Sequence, residues 1–522
     1  MGSTCESVRV DTLSGPISGE KLPAGERKAN AFKGIPYAKP PVGSLRFKKP
    51  EPVEPWTEVK DCTNFGNQSI QKLSSKKPNA PPISEDCLTL NVFSPDWEPT
   101  DPEGFPVYFF VHGGGFATES TFKYGDKGIC ENLVSKGVVV VTIEYRVGLL
   151  GFFTTGDEHC PGNNALWDCK LALEWTRDNL SRFRGNKDRI TVSGQSAGSA
   201  MTQLLAISPH TRDLFHQMLC MAGFTNRFCN WFHTSNGIEK CRTFGESVGI
   251  EGDEDSEEFL EKLRTIPAEK FALGIELDQA TQQLYIAPRF DGDFFPRPFH
   301  ELLHEAPAKN IIMGCAHSES IMGTDQPFSI SVLLSKIAQS FPENVFHTQT
   351  KAKRREFIKM LMDNHKSMDK IVEMIVEVDS GNFMTSGLQR AVLDWLKKSP
   401  NVFMYSFEYY NPDMYAALGL PFKASTHCAE LPYIFDIRIF GNFTFDETDK
   451  AVLSTMTDRV TNFVKFGNPN GEHGCTDEVE WQPASADHPQ RHLVILENSR
   501  MADVYKGGCP LYIVQETEKC SH

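Results

Sequence analysis

The stretch RITVSGQSAGSAMTQLLAI, residues 189–207, places a serine between two glycines directly after an apolar run. Ile190, Thr191 and Val192 form a short segment typical of a β-strand. Apolar residues recur at helical spacing after Ser196, which predicts an amphipathic helix. A strand, a G-x-S-x-G turn and a helix together make a nucleophile elbow, where a strained turn exposes the serine hydroxyl at the start of a helix. Ser196 is therefore predicted to be a nucleophile.

A serine is a weak nucleophile unless a base, an acid and oxyanion donors assist it. The segment VHGGGF, residues 111–116, places Gly113, Gly114 and Gly115 after a second apolar strand. This pattern matches the HGGG-type loop whose backbone N–H groups stabilise an oxyanion. A small-residue turn and a flexible glycine turn are the ordinary alternatives for these two motifs. Their occurrence together in one chain favours catalysis.

The elements around these motifs predict an α/β fold. Continuous apolar runs at 105–112 and 137–145 are typical of parallel strands covered on both faces, and further apolar runs follow at 216–223, 310–317 and 401–409. Helical patterns lie between them, so we expect a large, mostly parallel central sheet flanked by helices. We predict one domain over residues 1–522, with helical insertions at approximately 245–285 and 329–400 that form a lid.

Composition limits the classes of partner. The chain has 522 residues and a formal net charge of −15, which argues against nucleic acid and anionic membranes as partners. No apolar run is long enough for a transmembrane segment, and no secretory signal is visible, so a cytoplasmic location is expected. The Met-Gly start is like that of an N-myristoylated protein, but Glu6 stands where that motif needs serine or threonine. Oligomeric state is not indicated.

The fourteen cysteines are scattered and contain no C-x-x-C pair, which argues against zinc and dithiol redox sites. In a reducing compartment such cysteines are simply small buried apolar residues. No metal and no cofactor is expected.

Several longer motifs are similar to those of one family. They are FKGIPYAKPPVGSLRFKKP (32–50), SEDCLTLNVFSP (84–95), VHGGGF (111–116), EYRVGLLGF (144–152), SGQSAGSA (193–200) and KFGNPNG (465–471). With these motifs the chain resembles the type-B carboxylesterase/cholinesterase family of α/β-hydrolases. The resemblance implies an α/β-hydrolase fold and a serine esterase whose partner is a small-molecule ester. It also implies that Ser196 is the nucleophile and that Gly114, Gly115 and Ala197 supply the oxyanion N–H groups.

The family pattern also indicates the other two members of a catalytic triad. It expects an acid shortly after a strand and a glycine, and IIMGCAHSES gives Glu319. It expects the base in a loop before an aromatic segment, and STHCAELPYIF gives His427. The order serine, acid, histidine is that of α/β-hydrolases. His317 and Asp325 lie near Glu319, and the residues alone leave them open as alternatives.

Some positions depart from the family pattern. Extracellular members pair the cysteine that corresponds to Cys87 with an earlier one, but Ser69 stands at that earlier position, although Cys62 is not far away. Lys262 stands where a second disulfide loop would have a cysteine, and Ala222 stands where many members have a serine. Disulfides are therefore not expected, and the catalytic groups are all retained.

The substrate class is also inferred from the resemblance. In cholinesterases a tryptophan in the loop before SEDC stacks on the quaternary ammonium, whereas residues 71–83 contain no aromatic residue and three lysines. Gln195 replaces a carboxylate that many relatives carry. Leu284, Tyr285 and Ile286 lie where the family forms its acyl pocket. We therefore expect neutral esters with apolar acyl groups to be the substrates.

Two other functions fit the same fold. An acyltransferase would use the same acyl-enzyme with an alcohol or amine as the acceptor. A catalytically inactive adhesion or scaffold member of the fold would usually lack one of the three catalytic side chains, all of which this chain keeps.

Overall fold

The computed structural model describes residues 6–72, 78–225, 235–251, 254–276, 284, 286–323, 328–441, 443–472, 475 and 477–520. The chain forms two compact units. The first comprises Met1–Leu219 and Phe228–Pro307, and the second comprises Cys220–Arg227 and Ala308–His522. The prediction of one domain over 1–522 stays a prediction.

The first unit is organised around a mixed β-sheet. Its described strands are β1 (Ser7–Asp11), β2 (Pro16–Ala24), β3 (Arg27–Pro36), β4 (Lys60–Asp61), β5 (Thr89–Pro95), β6 (Phe105–Val111), β7 (Val139–Ile143) and β8 (Gly185–Gln195). They pair in the order β1-β2-β3-β5-β7-β6-β8, and β4 pairs with β2. Along this order the pairs from β1 to β7 are antiparallel, whereas β4 is parallel to β2 and β6 is parallel to both β7 and β8.

The parallel strands are those that the apolar runs predicted. Every residue of β6 and of β7 is buried, because helices rather than water cover such strands. In the parallel register Tyr108 pairs with Val140 on one side and with Thr191 on the other. The carboxyl ends of β6 and β8 therefore lie side by side, and the glycine loop and the serine turn leave from these two ends.

Helices connect these strands. The described helices of the first unit are α1 (Lys127–Asn132), α2 (Gly148–Phe152), α3 (Asn164–Asn179), α4 (Ala197–Ile207), α5 (Ser235–Ser247), α6 (Ser256–Thr265) and α7 (Phe299–Glu305). In α6, Asp255 caps the first turn by accepting from the N–H of Glu258 at 2.9 Å. Arg46 anchors the end of this helix, since its Nη1 donates to the carbonyls of Leu263 and Ile266 at 3.0 and 2.6 Å.

The second unit contains the remaining described strands of the sheet. Its strands are β10 (Asn310–Ala316), β11 (Val402–Phe407), β12 (His492–Ile495) and β13 (Arg500–Ala502), while β9 (Gln217–Met221) begins in the first unit and ends in the second. β10, β11 and β12 are parallel, and β13 is antiparallel to β12. The fully buried β11 and the nearly fully buried β10 correspond to apolar runs predicted as strands.

The predicted insertion at 329–400 is largely helical. The described helices of the second unit are α8 (Ile330–Ser340), α9 (Glu343–Phe346), α10 (Thr350–His365), α11 (Ile371–Ser380), α12 (Ser386–Leu396), α13 (Pro412–Leu418), α14 (Pro432–Phe435), α15 (Glu447–Phe466) and α16 (Cys509–Cys520). A π-helical turn, Gly381–Thr385, joins α11 to α12. Leu333, Phe357, Met374 and Ile513 belong to one apolar core cluster, which packs α8, α10, α11 and α16 together.

Two further findings concern the described residues of both units. Among the described residues, no helix is both long and apolar enough to cross a membrane. None of the twelve described cysteines, Cys62 and Cys87 included, forms a disulfide.

Candidate active site

Ser196 occupies the turn between β8 and α4 in a strained backbone conformation. Its φ is 55° and its ψ is −125°, a region that residues with a side chain rarely adopt. It is also the only residue from Ile190 to Ser208 that is not buried. The fold therefore strains the backbone at the serine that the sequence singles out and leaves that residue accessible.

The two glycines of the elbow allow close backbone contacts. A Cβ atom on Gly194 would lie 2.2 Å from the carbonyl oxygen of Gly198, and a Cβ on Gly198 would lie 2.1 Å from the carbonyl oxygen of Val111. Both distances are shorter than any side chain can accept. Glycine at both positions lets α4 begin directly against the end of β6.

The glycine loop after β6 packs against the elbow. A Cβ on Gly113 would lie 3.0 Å from Cβ of Ser196, so these two backbones nearly touch. Gly114 has φ 99° and Gly115 has φ 59°, and a Cβ on Gly114 would lie 2.1 Å from the carbonyl oxygen of Thr118. Only glycine fits this loop, which has no side chain to shield its N–H groups.

Ala197 is the first residue of α4. Its N–H is therefore one of the donors that a helix leaves without an intrahelical acceptor, at the positive end of the helix dipole. Together with the loop of Gly114 and Gly115, it offers backbone donors near Ser196 for a developing negative charge.

Ile275 contacts the glycine loop, which the sequence did not reveal. Its Cδ1 would lie 2.8 Å from a Cβ on Gly115, and 54% of the residue is exposed. An apolar side chain therefore lies over this side of the glycine loop. No motif marks Ile275, so periodicity and resemblance gave no signal for it.

Glu319 and His427 are hydrogen-bonded in the second unit. His427 Nδ1 lies 2.5 Å from Oε2 of Glu319, and Oε1 of Glu319 accepts from the N–H of Ala316 at 2.6 Å. The Glu319 side chain is 0% exposed and that of His427 is 17% exposed. The acid therefore fixes the orientation and tautomer of an imidazole that is still partly accessible.

Two opposing influences determine the charge of His427. Burial disfavours the imidazolium, whereas the neighbouring Cys428 and the Glu319 carboxylate favour it, and together they raise the pKa of His427 well above its usual 6.5. This environment stabilises the cation that a general base becomes when it accepts a proton.

His317 and Asp325 are the two alternatives near Glu319, and only His317 lies among the described residues. Burial, with a further contribution from Lys506, lowers the pKa of His317 well below 6.5, and its Nδ1 lies 3.1 Å from Oγ of Ser318. Its backbone N–H donates to the carbonyl of Phe407 at 2.8 Å. Asp325 lies outside the described residues.

A second carboxyl group, Glu430, lies three residues after His427. The residue is 0% exposed, and both of its carboxyl oxygens are without a hydrogen-bond partner in the described part of the chain. Burial, together with the negative charge of Glu319, raises the pKa of Glu430 to about 7. Helical spacing gave no signal for Glu430, because residues 427–430 form a turn in which Cys428 has φ 71°.

The predicted substrate-pocket residues are placed as follows. Gln195 is 2% exposed and ends β8 beside Ser196, while Ile286 is buried and Leu284 is half-buried. Tyr285 lies outside the described residues.

Within the described ranges, no three His, Cys, Asp or Glu side chains converge so that they could hold a metal ion.

A serine on a strained strand-to-helix turn, beside a glycine loop at the end of a parallel strand, is the arrangement of an α/β-hydrolase. The model of the carboxylesterase family matches residues 6–509. The chain therefore belongs to the carboxylesterase family, which confirms the predicted α/β-hydrolase fold class.

Named relatives agree with this assignment. The chain is 35% identical to esterase cest-33 of Caenorhabditis elegans, over 95% of this chain and 91% of the relative. It is 30% identical to the medium-chain fatty acyl-CoA hydrolase precursor of Anas platyrhynchos, over 99% and 94%. It is 29% identical to carboxylesterase 1C of Mus musculus, over 89% and 86%. The protein is thus an enzyme of the carboxylesterase kind.

Proposed function

We propose that this enzyme hydrolyses neutral carboxylic esters with apolar acyl groups, through an acyl-enzyme formed on Ser196. The backbone of Ser196 is the observation on which the proposal rests. Strain of this kind costs about 1–3 kcal/mol and persists where the surrounding structure enforces it, most often at functional sites. The glycines at positions 194 and 198 permit the contacts that enforce it.

In the proposed acylation, Ser196 Oγ attacks the ester carbonyl carbon while His427 Nε2 accepts the hydroxyl proton. Nε2 is the accepting atom because Nδ1 faces Glu319. The carbonyl electron pair moves onto oxygen, and the N–H groups of Gly114, Gly115 and Ala197 stabilise that oxyanion. Each such donor is worth about 3 kcal/mol in the transition state.

The tetrahedral intermediate then breaks the bond to the alkoxy oxygen. His427 returns its proton to that oxygen, and the alcohol leaves with Ser196 acylated. Water attacks the acyl carbon with the same base and the same oxyanion donors, which releases the carboxylic acid and restores the serine.

The substrate class is supported by the apolar and uncharged groups near the site. Ile275 lies over Gly115, and the uncharged Gln195 directly precedes Ser196. The loop 71–83 has no aromatic residue to stack on a cationic alcohol, and its Gln71 side chain is instead bonded to the backbone of Glu119 in both directions, at 2.8 Å each. The relatives described above include an esterase and a fatty acyl-CoA hydrolase, whose substrates carry acyl groups.

The test is covalent labelling with a fluorophosphonate probe, followed by mass spectrometry of the labelled peptide. We expect the label on Ser196 and its loss in Ser196→Ala, with a fall of several orders of magnitude in kcat for a simple ester. Ser331→Ala changes an exposed serine and is the matched control. Near-normal hydrolysis by Ser196→Ala would refute the assignment.

A further inference from the structure

The π-helical turn Gly381–Thr385 in the second unit has no role in the function proposed above. A π turn holds one more residue than an α-helical turn, and such turns occur mostly as single insertions within α-helices, frequently at functional sites. Gly381, Met384 and Thr385 are buried, whereas Phe383 is 39% exposed. The turn therefore presents one large aromatic ring toward a solvent-accessible space.

The ring of Phe383 contacts the imidazole of His427. Their centroids are 5.5 Å apart and their planes meet at 72°, an edge-to-face arrangement. On the imidazole, Glu319 bonds Nδ1, and Phe383 packs against the ring. Rotation of the imidazole away from Glu319 would have to displace or slide past this aromatic ring.

The π turn is itself tied down. The side-chain amide of Asn382 donates to the carbonyl of Lys336 at 2.9 Å, and Oγ of Ser340 donates to Oδ1 of Asn382 at 2.7 Å. Both partners belong to α8, so the turn is fixed by hydrogen bonds on the residue directly before Phe383.

Helix α11, which runs directly into the π turn, also bonds the loop that carries Glu319. The N–H of Ser320, the residue after Glu319, donates to Oγ of Ser380 at 3.2 Å. Oγ of Ser320 lies 3.2 Å from the carbonyl oxygen of Val376, to which it donates. One continuous segment thus contacts the His427 imidazole through Phe383 and the residue after Glu319 through Ser380.

We propose that Phe383 is a positioning residue that holds the His427 imidazole in the orientation bonded to Glu319. The proposal rests on the function proposed above, in which His427 is the general base. Simple core packing does not account for the contact, because more than a third of Phe383 remains exposed. The benefit is a general base whose imidazole keeps one orientation between turnovers, which reduces the freedom that must be lost in the transition state.

The experiment compares Phe383→Ala with Phe383→Tyr, which keeps the aromatic ring. We expect Phe383→Ala to lower kcat about tenfold with KM nearly unchanged, and Phe383→Tyr to restore kcat to within about twofold. Phe466→Ala removes a phenylalanine of similar exposure, 43%, in the same unit and should leave kcat unchanged. Phe383→Leu replaces the alanine variant if that variant does not fold.

A second readout reports on the imidazole directly. The proton shared by His427 Nδ1 and Glu319 gives a far-downfield proton NMR resonance, which should broaden or vanish in Phe383→Ala and remain in Phe383→Tyr. Unchanged kcat and an unchanged resonance in Phe383→Ala would overturn the proposal, as would equal losses in the tyrosine variant or in Phe466→Ala. Failure of the proposed function would appear instead as retained activity in Ser196→Ala.

Discussion

Glu319 joins the end of β10 to the imidazole of His427: one carboxylate oxygen accepts from the N–H of Ala316 at 2.6 Å, and the other lies 2.5 Å from His427 Nδ1. The carboxylate is thereby held by the strand end at one oxygen and directed at the imidazole by the other. This relationship sets the proton position on His427, because the nitrogen that faces a carboxylate carries the proton.

Glu319→Gln should therefore abolish most activity without a large change in shape. The amide can present its NH₂ group to Nδ1, which favours the tautomer with the proton on Nε2, where it cannot accept the serine proton. We expect kcat/KM for a simple ester to fall by a factor on the order of 10³–10⁴. Asp325→Asn is the matched control for the alternative acid and should be nearly silent. The reverse ranking would move the acid to Asp325.

The substrate preference is tested with two butyryl esters, one of choline and one of a neutral alcohol whose leaving-group pKa is the same. We expect a higher kcat/KM for the neutral ester, because no aromatic residue in 71–83 can stack on the ammonium group, an interaction worth about 2 kcal/mol or more when desolvated. The net charge of −15 does not replace such a site, since diffuse charge is screened over about 10 Å. A clear preference for butyrylcholine would contradict the proposed substrate class.

Gly198→Ala should destabilise the first unit. The added methyl group would meet the carbonyl oxygen of Val111 at 2.1 Å, and overpacking of this kind costs about 1–3 kcal/mol. The urea midpoint of unfolding measures the loss. Gly323→Ala, where the nearest atom would be 3.8 Å away, is the control and should unfold close to the wild-type midpoint. Equal midpoints for the two variants would show that the elbow is not tightly packed.

Glu430 should make stability depend on pH. Its pKa is raised from 4.5 to about 7 by burial and by the charge of Glu319, so the folded protein binds more protons than the unfolded chain between these values. The contribution of Glu430 to the free energy of unfolding therefore falls by about 3 kcal/mol as pH rises from about 4.5 to about 7. Above pH 7 this contribution no longer changes.

Glu430→Gln removes this ionisation. The variant should gain stability relative to wild type as pH rises from 4 to 8, with the gain levelling off above pH 7, as measured by urea unfolding at each pH. Glu261→Gln changes an exposed glutamate in α6 and should track the wild type at every pH. A difference between Glu430→Gln and wild type that does not change with pH would refute the raised pKa.

The protein should contain no stable disulfide. The family resemblance implies that Ser69 and Lys262 stand at positions where other members have cysteines, and none of the twelve described cysteines forms a disulfide. Thiol titration of the unfolded, unreduced protein should give fourteen free thiols per chain. A count of twelve or fewer would reveal at least one disulfide, with Cys5 and Cys229, which lie outside the described residues, as the first to examine.

The sequence by itself determined the local features of this protein. The apolar runs at 105–112 and 137–145 predicted buried parallel strands, and G-x-S-x-G with HGGG predicted a strained turn and a glycine loop. These features depend on backbone sterics and on which faces of a strand are covered, and both leave a record in a few consecutive residues. The family motifs added Glu319 and His427 as candidates.

Only the tertiary structure decided which side chains meet. The bond between Glu319 and His427, the contact of Phe383 with the imidazole and the position of Ile275 over Gly115 join residues far apart in the chain. The π turn that presents Phe383 depends on one extra residue within a helix, which apolar periodicity does not register. The raised pKa of Glu430 follows from burial beside another carboxylate, and burial of a polar side chain is a property of the packed fold and not of the local sequence.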